Sequence, residues 1–69
     1  MIKINNLVDL MAHKEEIPGN VYYDVEKRIC DFLESEGDVR IHEWIKAGGE
    51  ATDDYIKKQF KFAEHFLNN

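Results

Sequence analysis

Three histidines and one cysteine, His13, His42, His65 and Cys30, are the side chains of this chain best suited to holding a metal or attacking a carbon centre. Their spacing argues against a metal. None lies within two to four residues of another, whereas local ligand pairs anchor most zinc sites. His42-Glu43 has the start of a metalloprotease helix but no second histidine one turn on. A catalytic thiol would need a base beside Cys30. Lys27, one turn before it, would lower its pKa, while Glu26 and Glu34 would oppose that shift. Asp53-Asp54 could be read as an acid and base pair, but two acids at a helix start complement the helix dipole. Gly48-Gly49 precedes a helix and could receive a phosphate. No Lys-Ser/Thr follows it, however, and Asp53 and Asp54 would repel an anion. The expectation is a chain with no catalytic set, no metal and no cofactor.

The elements that place these residues are all helical. A first helix is expected over 6–15, capped by Asn5 or Asn6, with Ile4, Leu7, Val8 and Met11 on its apolar face. Ile17-Pro18-Gly19 ends it, and Asn20 is the expected cap of a second helix over 21–35. That helix buries Val21, Tyr22, Val25, Ile29, Phe32 and Leu33, leaving Tyr23, Lys27, Cys30 and Glu34 outside. Asp24 with Arg28 and Lys27 with Asp31 stand four apart, as helical ion pairs do. A third helix is expected over 39–47, and a fourth over 53–67 after a Thr52 cap. The fourth carries a stripe of Ile56, Phe60, Ala63 and Leu67, widened by Tyr55, Phe62 and Phe66, with Gln59 inside that face. The fold class expected is all-α, a small orthogonal bundle of about four helices forming one domain over 1–69.

A tandem repeat fixes how these helices connect. Residues 26–37, EKRICDFLESEG, and 38–49, DVRIHEWIKAGG, write one pattern twice: acid, Arg, Ile, acid, aromatic, aliphatic, small residue, Gly. On one continuous helix a twelve-residue offset would rotate the second copy by about 120° from the first. Ile29/Phe32/Leu33 and Ile41/Trp44/Ile45 could not then face one core. Gly37 is therefore expected to close the second helix, with Asp38 capping the third, and Gly48-Gly49 to close the third in turn.

Charge limits the partners. Fourteen acids against nine bases give a net charge of −5, with the acidity concentrated before residue 38. A nonspecific duplex binder instead needs Lys and Arg to displace counterions from phosphates. A basic protein surface is the complementary partner, and the acidic belt of the second helix is the face that would meet it. The candidate partner-binding residues are Tyr23, Asp31, Glu34, Glu36 and Asp38. A helix-turn-helix alternative would place Lys57, Lys58 and Lys61 of the last helix on DNA, though that helix lacks the exposed Arg, Asn or Gln that base readout calls for. Seven Ile, four Leu, four Val, four Phe, three Tyr and one Trp are a large apolar supply for 69 residues. A homodimer or a partner-bound subunit is expected on that ground. A lone cysteine excludes an intrachain disulfide and fits the cytoplasm. No apolar run approaches the ~20 residues of a membrane span. Met1 is followed by IKINN, without the apolar stretch or cleavage site of a secretory leader.

The run WIKAGGEATDDYIKKQFKFAEHF, with Trp44, Gly48-Gly49, Asp54, Tyr55-Ile56, Gln59 and Ala63-Glu64, resembles a family of small uncharacterised proteins encoded by Gram-positive bacteria and their phages. Ile17-Pro18 and Lys27-Arg28-Ile29 through Leu33 extend the resemblance to residues 17–66. In that family one aromatic-helix-glycine unit leads into the Asp-Tyr-Ile helix, whereas this chain has two. The resemblance carries no residue role. It implies a phage or mobile-element setting, in which tiny acidic proteins bind and block host proteins.

Overall fold

The computed structural model describes residues 2–35 and 38–68. Its elements run α1 (Leu7–Ala12), a 3-10 turn (Lys14–Glu16), α2 (Gly19–Glu34), α3 (Asp38–Lys46) and α4 (Asp54–Leu67). This is the all-α small bundle expected, with α2 at its centre, packed on both α3 and α4. One cluster joins every buried apolar side chain, from Ile4 and Leu10 through Val25, Ile29 and Leu33 to Trp44, Ile56 and Phe60. The radius of gyration, 11.5 Å, is close to the ~11 Å expected of a compact chain this long, so the core closes on itself.

α1 is capped as expected and shorter than expected. Asn6 is extended and its Oδ1 accepts from the Asp9 N–H at 2.8 Å, while Asp9 Oδ2 accepts from the Asn5 N–H at 3.1 Å. The helix ends at Ala12, and the 3-10 turn that follows brings His13 Nδ1 to 2.8 Å from Glu16 Oε2. Pro18 forces Ile17 out of the helical region, and Ile17 turns into the core at 4% exposure. The apolar face of α1 is a correction. Leu10 is fully buried, whereas Val8 and Met11 are more than half exposed. With about 100° between successive residues, a helix centred on Leu10 sets Leu7 about 60° off axis, Met11 100° and Val8 160°.

α2 starts two residues before the sequence reading. The Pro18 carbonyl accepts from both Val21 and Tyr22 N–H, so Asn20 lies inside the helix and caps nothing. Tyr22, Val25, Ile29 and Leu33 are buried, with Val21 and Phe32 partly so, as that face requires. Cys30 is half-buried rather than outward-facing. Lys27 and Asp31 pair at 2.9 Å, while Arg28 lies over the Phe62 ring of α4 at 5.9 Å. The expected cap at Gly37 lies outside the described residues, as does Glu36. Asp38 is the first residue of α3, not its flanking cap.

α3 ends in a Schellman motif. Gly49 N–H donates to the Trp44 carbonyl at 2.9 Å and Gly48 N–H to that of Ile45 at 3.1 Å, with positive φ at both glycines. Gly49 also seats α1, since its carbonyl accepts from the Leu7 N–H at 2.9 Å, and a Cβ at Gly49 would overlap Leu7 Cβ. Trp44 is buried and Ile41 partly buried, but Ile45, expected in the core, is half exposed. The Trp44 Nε1–H donates to the Glu50 carbonyl at 2.6 Å, tying α3 to the loop that follows.

Asp53, not Thr52, flanks α4. The Thr52 N–H donates to the Glu50 carbonyl, and the Asp53 carboxylate makes no cap bond because it pairs with Arg40 Nη2 at 2.8 Å. Ile56, Phe60 and Ala63 are buried, whereas Tyr55, Phe62 and Phe66 are substantially exposed. Gln59 lies on the apolar side, with Oε1 buried and without a hydrogen-bond partner among the described residues. Asn68 reads both backbone groups of Ile2 and Glu64 Oε2 accepts from the Ile4 N–H, so residues 2–4 are tied to the end of α4.

Candidate protein-interaction face

Of the candidate residues of the acidic face, Tyr23, Asp31 and Glu34 fall on the outer side of α2. Tyr23 is two-thirds exposed, Asp31 is exposed one turn beyond Lys27, and Glu34 is exposed one turn beyond Cys30. Glu36 lies outside the described residues, and of Asp38 only its backbone, at the start of α3, is described. The acidic belt is therefore observed as Asp24, Glu26, Asp31 and Glu34. Glu26, a member of that belt though not one of the named candidate residues, borders both concavities on this side. One, of ≈ 430 Å³, is lined by Tyr22 and Tyr23 with Lys14, Glu15, Ile17 and Gly19. The other, of ≈ 230 Å³, lies between α1, α2 and α3 and is walled by Leu7, Met11, Ile29, Cys30, Trp44 and Ile45.

The electrostatics of the second groove follow from that arrangement. Burial pushes the Cys30 thiol above its ordinary pKa, and Glu26, Glu34 and Asp31 push it further in the same direction. Lys27 does not reverse this, because its ammonium is engaged by Asp31. Cys30 thus stays protonated at neutral pH, the wrong state for a nucleophile. Burial also raises the Tyr22 hydroxyl, with Glu26 adding to the effect. Negative potential and exposed apolar surface meet along one edge of α2. Sequence reasoning missed this groove because Leu7, Met11 and Ile45 were all assigned to the core. No local signal marks it, because the roll of α1 and α3 is set by tertiary contacts such as Leu7 N–H on the Gly49 carbonyl and Trp44 on the Glu50 carbonyl.

The three lysines of the last helix are exposed but do not form one set. Lys57 and Lys61 join Lys3 around a cavity of ≈ 400 Å³ floored by Ile4, Phe60 and Ala51, while Lys58 lies outside it. Glu50 and Glu64 line the same cavity and offset the positive charge. Lys3 was absent from the sequence reading because the tie between residues 2–4 and α4 is a tertiary feature. Among the described residues, no three His, Cys, Asp or Glu side chains are grouped to hold a metal ion. Nor is any helix among them long and apolar enough to cross a membrane.

Residues 38–68 match a protein-family model described as a family of unknown function, DUF6877. The match takes in the second copy of the repeat and α4, less than half of the chain and narrower than the resemblance over 17–66. No curated protein and no solved structure matches the chain.

Proposed function

We propose that this protein is a non-catalytic interaction module that binds a basic surface of a protein partner through the acidic edge of α2. The observation that carries this reading is the juxtaposition of Glu26, Asp31 and Glu34 with exposed Tyr23 and an apolar groove. Interfaces draw on such aromatic and apolar centres, with charge at the rim setting partner choice and association rate. A cytoplasmic inhibitor or regulator encoded by a phage or mobile element is the setting that fits the family resemblance. The test is affinity capture from a host lysate with the wild-type chain and with an Asp31→Lys/Glu34→Lys double variant. A specific protein lost with the double variant is the expected result; an unchanged set of captured proteins overturns the reading.

A second reading, contact with duplex DNA through Lys57, Lys58 and Lys61, draws on the meeting of Lys57 and Lys61 with Lys3 at one cavity. It requires a gel shift that weakens steeply with salt and disappears when the three α4 lysines are replaced by Gln. The two carboxylates within that cavity make it the weaker of the two.

A further inference from the structure

We propose that the groove between α1, α2 and α3 seats an amphipathic helix of a protein partner, an apolar side chain held between Met11 and Ile45 and a basic flank facing Glu26 and, one turn beyond Cys30, Glu34. This rests on the reading above and names the chemistry of the partner. Burial grades the groove from floor to rim. Ile29 and Trp44 are buried at its base, Leu7 and Cys30 are half-buried, and Met11 and Ile45 stand 58% and 50% exposed at its edges. Val8, one turn from Met11 on α1, is also exposed. Two exposed aliphatic side chains on facing helices, above a base that is already closed, form a surface ready to be covered.

Size and charge select the occupant. At ≈ 230 Å³ the groove falls below the ~300–1,000 Å³ of sites that enclose a small-molecule ligand. It has room for an anchoring side chain of a longer segment. Helix-in-groove recognition places such anchors at helical spacing against an apolar trough, and methionine at a rim adapts to the side chain it meets. A second copy of this chain is a poor occupant. A two-fold interface would bring Glu26 and Glu34 of both copies together in a protein of net charge −5. A basic flank removes that repulsion.

The probe is a synthetic helical peptide with leucines on one face and lysines on the other. Two companions separate its features: one with glutamine in place of leucine, one with glutamate in place of lysine. Trp44 is the chain's single tryptophan and Cys30 its single cysteine, so Trp44 fluorescence and the rate of Cys30 alkylation both report on the groove. The Leu/Lys peptide should change Trp44 emission and slow alkylation. Ile45→Asp should weaken its binding by about tenfold or more, and Met11→Glu, on the opposite rim, should do the same. Both positions are exposed, and unchanged helical circular dichroism confirms that each variant folds. If the Gln/Lys peptide binds equally well, or neither rim variant matters, the groove is overturned while the acidic-face reading stands. Equal binding of the Leu/Glu peptide overturns both. Absence of binding by the Leu/Lys peptide overturns the groove alone, since lysate capture tests the acidic face independently. A wild-type dimer in sedimentation equilibrium that Ile45→Asp dissociates would assign the groove to a second copy and overturn the peptide partner.

Discussion

The two copies of the repeat have the same classes of residue at their packing positions, Ile29/Phe32/Leu33 and Ile41/Trp44/Ile45, and bury different ones. In the first copy, Ile29 and Leu33 are sealed and Phe32 lies at the edge, stacked on Tyr55 at 4.8 Å. In the second, the aromatic Trp44 takes the buried place, Ile41 is at the edge and Ile45 is half exposed. Taking about 100° per residue, α3 is rolled by roughly 80° relative to α2 with respect to the core. The neighbours explain the difference. α2 is clasped by α4 on one side and α3 on another, so its widest apolar arc must point inward. α3 is anchored at one edge, by Trp44 Nε1–H on the Glu50 carbonyl and by Arg40 on Asp53. The paired arginines diverge in the same way: Arg28 lies over the Phe62 ring, while Arg40 makes an ion pair with a carboxylate. A repeated sequence specifies a repeated helix; its roll comes from what the helix packs against.

The sharpest way to break this comparison is to truncate the equivalent aliphatic residues. Leu33→Ala should cost about 2–5 kcal/mol, as a fully buried leucine does. Ile45→Ala should cost under about 1 kcal/mol, since much of the side chain is already in water. Urea denaturation of the two variants measures both, and equal losses would refute the difference in roll. Next in size is Gly49→Ala. Positive φ and the overlap with Leu7 together should cost about 2–3 kcal/mol. Gly48→Ala, also at positive φ but facing open space, should cost about 1 kcal/mol.

Trp44→Phe keeps an aromatic ring and removes the indole donor, leaving the Glu50 carbonyl without that partner. A loss of about 1–2 kcal/mol is expected in the same denaturation assay. The smallest effect sharpens the comparison at the positions where the copies carry different chemistry, Cys30 and His42. Cys30 is half-buried and its pKa is raised by burial and three carboxylates, whereas His42 is exposed. A thiol moved to the second copy by Cys30→Ser/His42→Cys should therefore be alkylated faster at pH 8 than native Cys30. Glu26→Gln/Glu34→Gln in the native background should speed alkylation of Cys30, because removing negative charge lowers its pKa and raises the thiolate fraction. Alkylation rates unchanged by that double substitution would show that the acids do not bear on the groove.

Periodicity and punctuation made most of the architecture legible. The buried arc of α2, the Asn6 cap, the paired glycines after α3 and the Ile56/Phe60/Ala63 stripe each follow from local residue types. Local signals failed where a distant partner competed for the same group. Thr52 and Asp53 both have cap-forming side chains, and Arg40 takes the Asp53 carboxylate away from the helix end. Asn20 is a good cap, but the Pro18 carbonyl starts the ladder first. The acidic edge of α2 was readable as a surface, since charges at helical spacing identify a solvated face. The groove beside it was not, because Met11 and Ile45 read as core in any helix that is free to choose its roll.

By itself, then, the sequence determined where helices form, which broad arc of each is apolar, and that a chain with a net charge of −5 carries an acidic central helix. Those properties depend on neighbours within a turn or two. Tertiary structure alone decided how α1 and α3 are rolled, that residues 2–4 are tied to the end of α4, and that Cys30 faces a groove instead of solvent. The reason is close packing. Leu7 rests against Gly49, and Trp44 reaches the Glu50 carbonyl. Once α1 and α3 are held at those points, Met11 and Ile45 have no core left to enter and remain exposed at the rims of the groove.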